Sequence, residues 1–134
     1  MREVPRGATD VPFHVFRGRY LSVPLAVEGG APAPFLVASG GTFAVALSDD
    51  ALVASGRDPS GLRREADGMA RYGIRSIGIG AVTVTDVPAV HGVFPQMAAD
   101  DAGVDFAGVV SQQLLAGFKV TMDPGRRVLS FESP

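Results

Sequence analysis

Short apolar segments separated by glycine and proline run along the whole chain. They are rich in valine, isoleucine, threonine and phenylalanine, and several alternate apolar with polar residues, as strands with one buried face do. The pattern predicts an all-β fold, a single closed or nearly closed barrel with two or three short helices. The predicted strands cover 11–16, 20–28, 34–37, 42–47, 62–66, 69–79, 81–93, 106–110, 119–122 and 127–131.

Turn and cap residues punctuate these strands. Asp67-Gly68 predicts a hairpin, and the turn at 123–126 predicts the last one. Ser48 is a good N-cap for a helix that runs to about residue 54 and ends at Gly56. Residues 96–102 and 111–118 are expected to form further short helices or turns, and the strand over 81–93 is expected to bend or stop near Pro88.

Composition narrows the function classes. The 134 residues carry a formal net charge of −2 and scattered arginines, which gives no electrostatic reason to expect nucleic acid. Without cysteine there is no disulfide, thiolate metal site or cysteine nucleophile. His14 and His91 lack metal-ligand spacing, so no metal and no cofactor are expected.

The domain organisation is simple. The length suits one domain, with residues 1–10 as a tail or linker and 11–134 as the barrel. No apolar stretch is long enough to span a bilayer, and the first ten residues do not resemble a secretory signal. The chain is therefore expected to be cytoplasmic or a fragment of a longer exported protein.

Three short motifs occur along the chain in an order that is typical of one protein family. The stretch 23–29 reads VPLAVEG, the stretch 35–42 reads FLVASGGT, and 108–115 with 118–123 reads GVVSQQLL and FKVTMD. An apolar strand thus leads to a small polar corner at 38–40 and again at Ser111. This arrangement resembles the retropepsin-like aspartic proteases of bacteria, over residues 11–132. The resemblance implies an acid-protease type of β-barrel.

The resemblance also assigns the site. It sets Ala38 at the catalytic aspartate, Ser39 at the hydroxyl residue that follows, and Gly40 at the glycine. Aspartic proteases need two carboxylates about 3 Å apart that share one proton and activate a water, and in this family each subunit gives one. Alanine cannot do this, so the resemblance implies no intact catalytic residue. Ser39 is expected to link the two active-site loops by hydrogen bonds across a dimer.

Further positions depart from the pattern of the family. Ala44 stands where a threonine is usual, Ser111 replaces a glycine, and Gln113 replaces an Asp or Asn that supports the loop. Ser111 and Gln113 are therefore predicted to form a second corner that supports the site. The hairpin around Asp67, Gly68 and Met69 would be the flap over the cleft, or an ordinary exposed hairpin.

Three hypotheses follow. The first is a pseudoenzyme that binds a peptide or protein segment, or that serves as a dimerisation or structural module. The second is one domain, or an inactivated mutant, of an active aspartic endopeptidase whose dyad a homodimer or a tandem homologous domain completes. The third is an unrelated small β-barrel. The position of Ala38 relative to residues 110–111 distinguishes the last from the others.

Overall fold

A computed structural model of the chain describes residues 8–38, 43–92, 100 and 103–132. Within these ranges we number ten strands and two helices, with a 3-10 turn at Pro59–Gly61. The strands are β1 Ala8–Pro12, β2 His14–Phe16, β3 Tyr20–Val27, β4 Ala33–Ala38, β5 Val45–Leu47, β6 Ala70–Ile79, β7 Val82–His91, β8 Gly108–Ser111, β9 Lys119–Asp123 and β10 Val128–Glu132. The helices are α1 Asp49–Ala54 and α2 Gln112–Leu115.

Most of the strands form a closed barrel. The larger sheet has the order β2-β3-β4-β8-β5-β7-β6, and a further pairing between β3 and β6 closes six of these strands into a ring. A second sheet, of order β1-β10-β9, contains the predicted last hairpin. The all-β prediction with a closed barrel and few short helices is confirmed.

The interior of the barrel is filled by apolar side chains from every strand of the ring. Phe35, Leu25, Ile77 and Val84 are among the side chains with almost no exposure. Gly108 in β8 lies in a tightly packed part of the barrel, because a Cβ placed there would be 2.5 Å from the Ala46 carbonyl oxygen. The core therefore restricts the size of the side chain at this position.

Helix α1 begins where the cap residues indicate. The Ala51 backbone N–H donates to Ser48 Oγ at 3.2 Å, and Gly56 follows the helix with a φ of 88°. No helix among the described residues is long and apolar enough to cross a membrane.

Two strand predictions were wrong in detail, and the stop that was one of the two alternatives near Pro88 is not observed. The first strand starts at Ala8, within the predicted tail, and is interrupted at Phe13, whose side chain is buried and whose amide donates to the Arg127 carbonyl at 3.0 Å. Residues 62–66 form no strand, and only an isolated bridge joins Arg64 to Ala70. Strand β7 runs through Pro88 to His91. The helix or turn predicted over 96–102 lies almost wholly outside the described residues.

The irregularity of β7 lies close to its predicted position. Asp86 adopts a φ of 54°, in the left-handed region that few non-glycine residues enter. Aspartate tolerates this conformation better than most residues do. The proline two positions later faces Gly73 of β6 and does not end the strand.

Candidate functional site

The ends of two parallel strands bring the two predicted corners together. Strand β4 pairs with β8 in a register that sets Leu36 beside Val109 and Ala38 beside Ser111. Both strands are buried on both faces at their centre, at Phe35 and Leu36 in β4 and at Val109 and Val110 in β8. Ser39 and Gly40, the other two residues assigned to the catalytic corner, lie outside the described residues.

Ser111 is a hydrogen-bonding centre of this region. It is fully buried, and its Oγ donates to the Phe43 carbonyl oxygen while accepting from the Gln113 backbone N–H at 3.3 Å. Its own backbone N–H donates to the Ala44 carbonyl oxygen at 3.1 Å. Ser111 thus fixes the start of α2 and ties the segment that leads into β5 to the end of β8.

Gln113 is placed differently from a supporting side chain. It lies in α2, two residues beyond Ser111, and its side chain is exposed. It contacts Ser111 through its backbone N–H, which donates to Ser111 Oγ. Of the two residues of the predicted second corner, Ser111 is therefore the one that makes side-chain contacts with neighbouring elements.

An apolar cluster surrounds the outer side of these strand ends. Its buried members are Leu36, Phe106 and Val109, and the half-buried side chains packed against them are those of Phe16, Tyr20, Ala38, Phe43 and Val104. The rings of Phe16 and Phe106 meet edge to face, with centroids 5.9 Å apart. We call this set the outer cluster. The methyl group of Ala38 extends it.

The hairpin at Asp67-Gly68 is short and exposed. Gly68 takes a φ of 81° and its N–H donates to the Glu65 carbonyl at 2.9 Å, while the Met69 N–H donates to Asp67 Oδ1 at 2.9 Å. The hydrogen bond from Met69 and the ion pair with Arg71 lower the pKa of the Asp67 carboxyl. These contacts define a rigid turn, and its role as a flap stays a prediction.

The sequence analysis did not predict the ion-pair network at the β3–β4 turn. Glu28 accepts from both terminal nitrogens of Arg57, at 3.1 and 3.0 Å, and from the Arg75 backbone N–H at 2.9 Å. The Arg57 hydrogen bonds and the Arg75 amide lower the pKa of Glu28 to about 2 against the burial that opposes them. Arg57 also lies over the ring of Tyr72, 5.3 Å from its centroid. No sequence signal links residues 28 and 57.

The two histidines have different surroundings. His14 is exposed in the edge strand β2. His91 Nε2 contacts the Asp49 carboxylate at the start of α1, and its Nδ1 is buried without a hydrogen-bond partner among the described residues. Over the described part of the chain, no group of three or more His, Asp or Glu side chains could hold a metal ion.

The shifted carboxyl groups do not have the character of a general acid. The pKa values of Glu28 and Asp67 are both lowered, whereas an acid that donates a proton near neutral pH needs a raised one. Each of these carboxylates is held by arginine. Both groups therefore stabilise local structure.

Comparison with known proteins identifies the architecture. The sequence matches no family model and no curated protein. Among solved structures, the crystal structure of a retropepsin-like aspartic protease from Rickettsia conorii aligns with 99% of this chain and 97% of its own chain, at a TM-score of 0.70 and 16% sequence identity. The chain has a retropepsin-like fold. This confirms the resemblance at the level of the fold.

Proposed function

We propose that this chain is a peptide-binding module built on a retropepsin-like fold, without aspartic-protease chemistry of its own. The observation that carries the proposal is the parallel register of β4 and β8, with Ala38 beside Ser111 at the strand ends. In the family resemblance that position belongs to the catalytic aspartate. A methyl group neither exchanges a proton nor orients a water molecule, so the acid–base step has no group here.

The surroundings of Ala38 suit an apolar peptide side chain. The outer cluster combines buried aliphatic residues with the half-buried rings of Phe16, Tyr20 and Phe43. Partly exposed aromatic rings are the side chains on which peptide anchors commonly pack. Burial of apolar area against this cluster would stabilise a bound peptide, and this binding does not require a catalytic carboxylate.

A strand edge that no other described strand pairs with lies next to this surface. Among the described strands, β2 pairs with β3 alone, and Phe16 at its end belongs to the outer cluster. An extended peptide can add to such an edge by main-chain hydrogen bonds and place alternate side chains on the adjoining surface. The segment would come from another protein or from a second copy of the chain.

Selection of random peptides displayed on phage tests this proposal. We expect the unmodified chain to enrich peptides with apolar side chains at alternate positions, and Ala38→Arg to lose them because the guanidinium would project into the outer cluster. Val53→Arg is the matched control, since Val53 is 60% exposed in α1. Failure to enrich any peptide, or equal enrichment by Ala38→Arg, would refute the proposal.

An active assembly completed by a partner's aspartate is the second candidate. The observation that favours it is that Ala38 is only half-buried at a strand end, where a carboxylate has access to water. Ala38→Asp should then produce acid-dependent, pepstatin-sensitive cleavage of peptides, and Ala38→Asn, which matches its size, should not. If Ala38→Asp stays inactive while folded and assembled as a homodimer, in which each copy supplies one carboxylate, this candidate fails.

A further inference from the structure

A cleft away from Ala38 opens between α1, the β3–β4 turn and the segment before β8. It encloses about 400 Å³, within the usual range for small-molecule sites. Its floor is made by the buried side chains of Leu25, Phe35 and Phe106. Ala38 and Ser111 are not among the residues that line it.

The cleft exists because small residues line its walls. Ala51 and Ala54 face it from α1, three residues apart and so on the same side of the helix, while Leu52 points into the core. Gly30 and Ala33 line it from the β3–β4 turn. Larger side chains at these positions would fill the cleft, so the cleft depends on the small residues that the sequence has there.

The polar groups of the cleft divide into two kinds. The Ser48 and Ser55 hydroxyls are used within α1, where Ser48 accepts from the Ala51 N–H and Ser55 donates to the Leu52 carbonyl. Asp50 and Asp105 make no hydrogen bond or ion pair with any described residue, and both are exposed at the rim. No described lining residue is basic.

We propose that this cleft binds a small aliphatic cation of the primary alkylammonium class. The alkyl chain would lie on the floor of Leu25, Phe35 and Phe106, and the ammonium group would lie at the rim near Asp50 and Asp105. Charge complementarity selects a cation, and the apolar floor selects an alkyl body over a small inorganic ion. The cleft shares Phe106 with the outer cluster, but its other lining residues lie outside that cluster.

Titration of the ¹⁵N-labelled chain with hexylammonium, followed by NMR, tests the proposal. We expect saturable shifts of the amides of Gly30, Ala51, Ala54 and Ala107. Hexanol should bind more weakly because it lacks the charge, and hexanoate should not bind. Absence of saturable shifts at these amides overturns the proposal, as does equal affinity for hexanoate.

Variants separate the two parts of the site. Asp50→Asn combined with Asp105→Asn should weaken hexylammonium binding about threefold to tenfold, as expected for solvent-exposed ion pairs. Added salt should also weaken the binding, because it screens these charges. Ala54→Leu should abolish binding by filling the cleft, with the melting temperature as a check on folding. Glu132→Gln, at the end of β10, removes one negative charge away from the cleft and should leave hexylammonium binding unchanged. Unchanged affinity in both cleft variants contradicts the proposal.

Discussion

Removal of the charge on Glu28 should destabilise the fold in a pH-dependent way. The Glu28 side chain is 10% exposed and holds Arg57, whose side chain is 21% exposed, by two hydrogen bonds. Glu28→Gln keeps the size of the side chain and its turn conformation, but removes the charge that organises the network. The β3–β4 turn, the segment after α1 and the middle of β6 all meet at this point.

The pKa sets the size of the effect. A fall from 4.5 to about 2 at roughly 1.4 kcal/mol per pH unit gives an upper limit of about 3 kcal/mol. The Arg75 side chain is 88% exposed, so solvent screens part of this, and we expect about 1–2 kcal/mol. Because the folded pKa is the lower one, the stabilisation is complete above pH 4.5 and is lost as the pH falls towards 2.

Urea unfolding of Glu28→Gln and the unmodified chain between pH 2 and 7 measures this effect. The difference in unfolding free energy should be constant above about pH 5 and should disappear near pH 2. Glu65→Gln is the matched control, because the ion pair of Glu65 with Arg71 is about half exposed and should contribute less than about 0.5 kcal/mol. Equal stability of Glu28→Gln and the unmodified chain at pH 7 would refute the reasoning.

Three further substitutions test the packing and the candidate site. Gly108→Ala should lower the free energy of unfolding in urea by about 2 kcal/mol or more, because its Cβ would lie 2.5 Å from a backbone oxygen. Gly73→Ala is the control and should be near neutral, because a Cβ at Gly73 would meet no atom within 4 Å. Ser111→Ala should lower the free energy of unfolding by about 1–2 kcal/mol, because it removes the N-cap of α2 and the hydrogen bond to the Phe43 carbonyl. An unchanged melting temperature would show that these hydrogen bonds do not stabilise the fold. Tyr72→Phe should leave stability unchanged or raise it by up to about 1 kcal/mol, because the buried hydroxyl, whose pKa burial raises to about 12, has no hydrogen bond of good geometry among the described residues. A loss above 1 kcal/mol would show that the hydroxyl has a partner.

Local chemistry made much of the fold predictable. The Ser48 cap and Gly56 bound α1 as expected, since both act within a few residues of the helix. The last hairpin follows from its turn, and its register pairs Met122 with Leu129. The two apolar corners were visible as a repeated pattern, and the parallel pairing of β4 and β8 brings them together.

Long-range contacts account for what the sequence did not reveal. Glu28 and Arg57 are 29 positions apart and meet only because β3 and β6 close the barrel beside α1. The contact of His91 with Asp49 likewise depends on the parallel pairing of β5 with β7. Phe13 separates β1 from β2 because the chain changes sheets there, with β1 paired to β10 and β2 paired to β3. Alternation of residues along one segment does not encode such a change of partner.

A cleavage assay of the unmodified chain tests the central claim most directly. The purified chain is incubated with a mixed peptide library between pH 3 and 7, with and without pepstatin, and the products are identified by mass spectrometry. With Ala38 at the position that the resemblance gives to the catalytic aspartate, we predict no pepstatin-sensitive product at any pH. Pepstatin-sensitive cleavage by the unmodified chain would contradict the account.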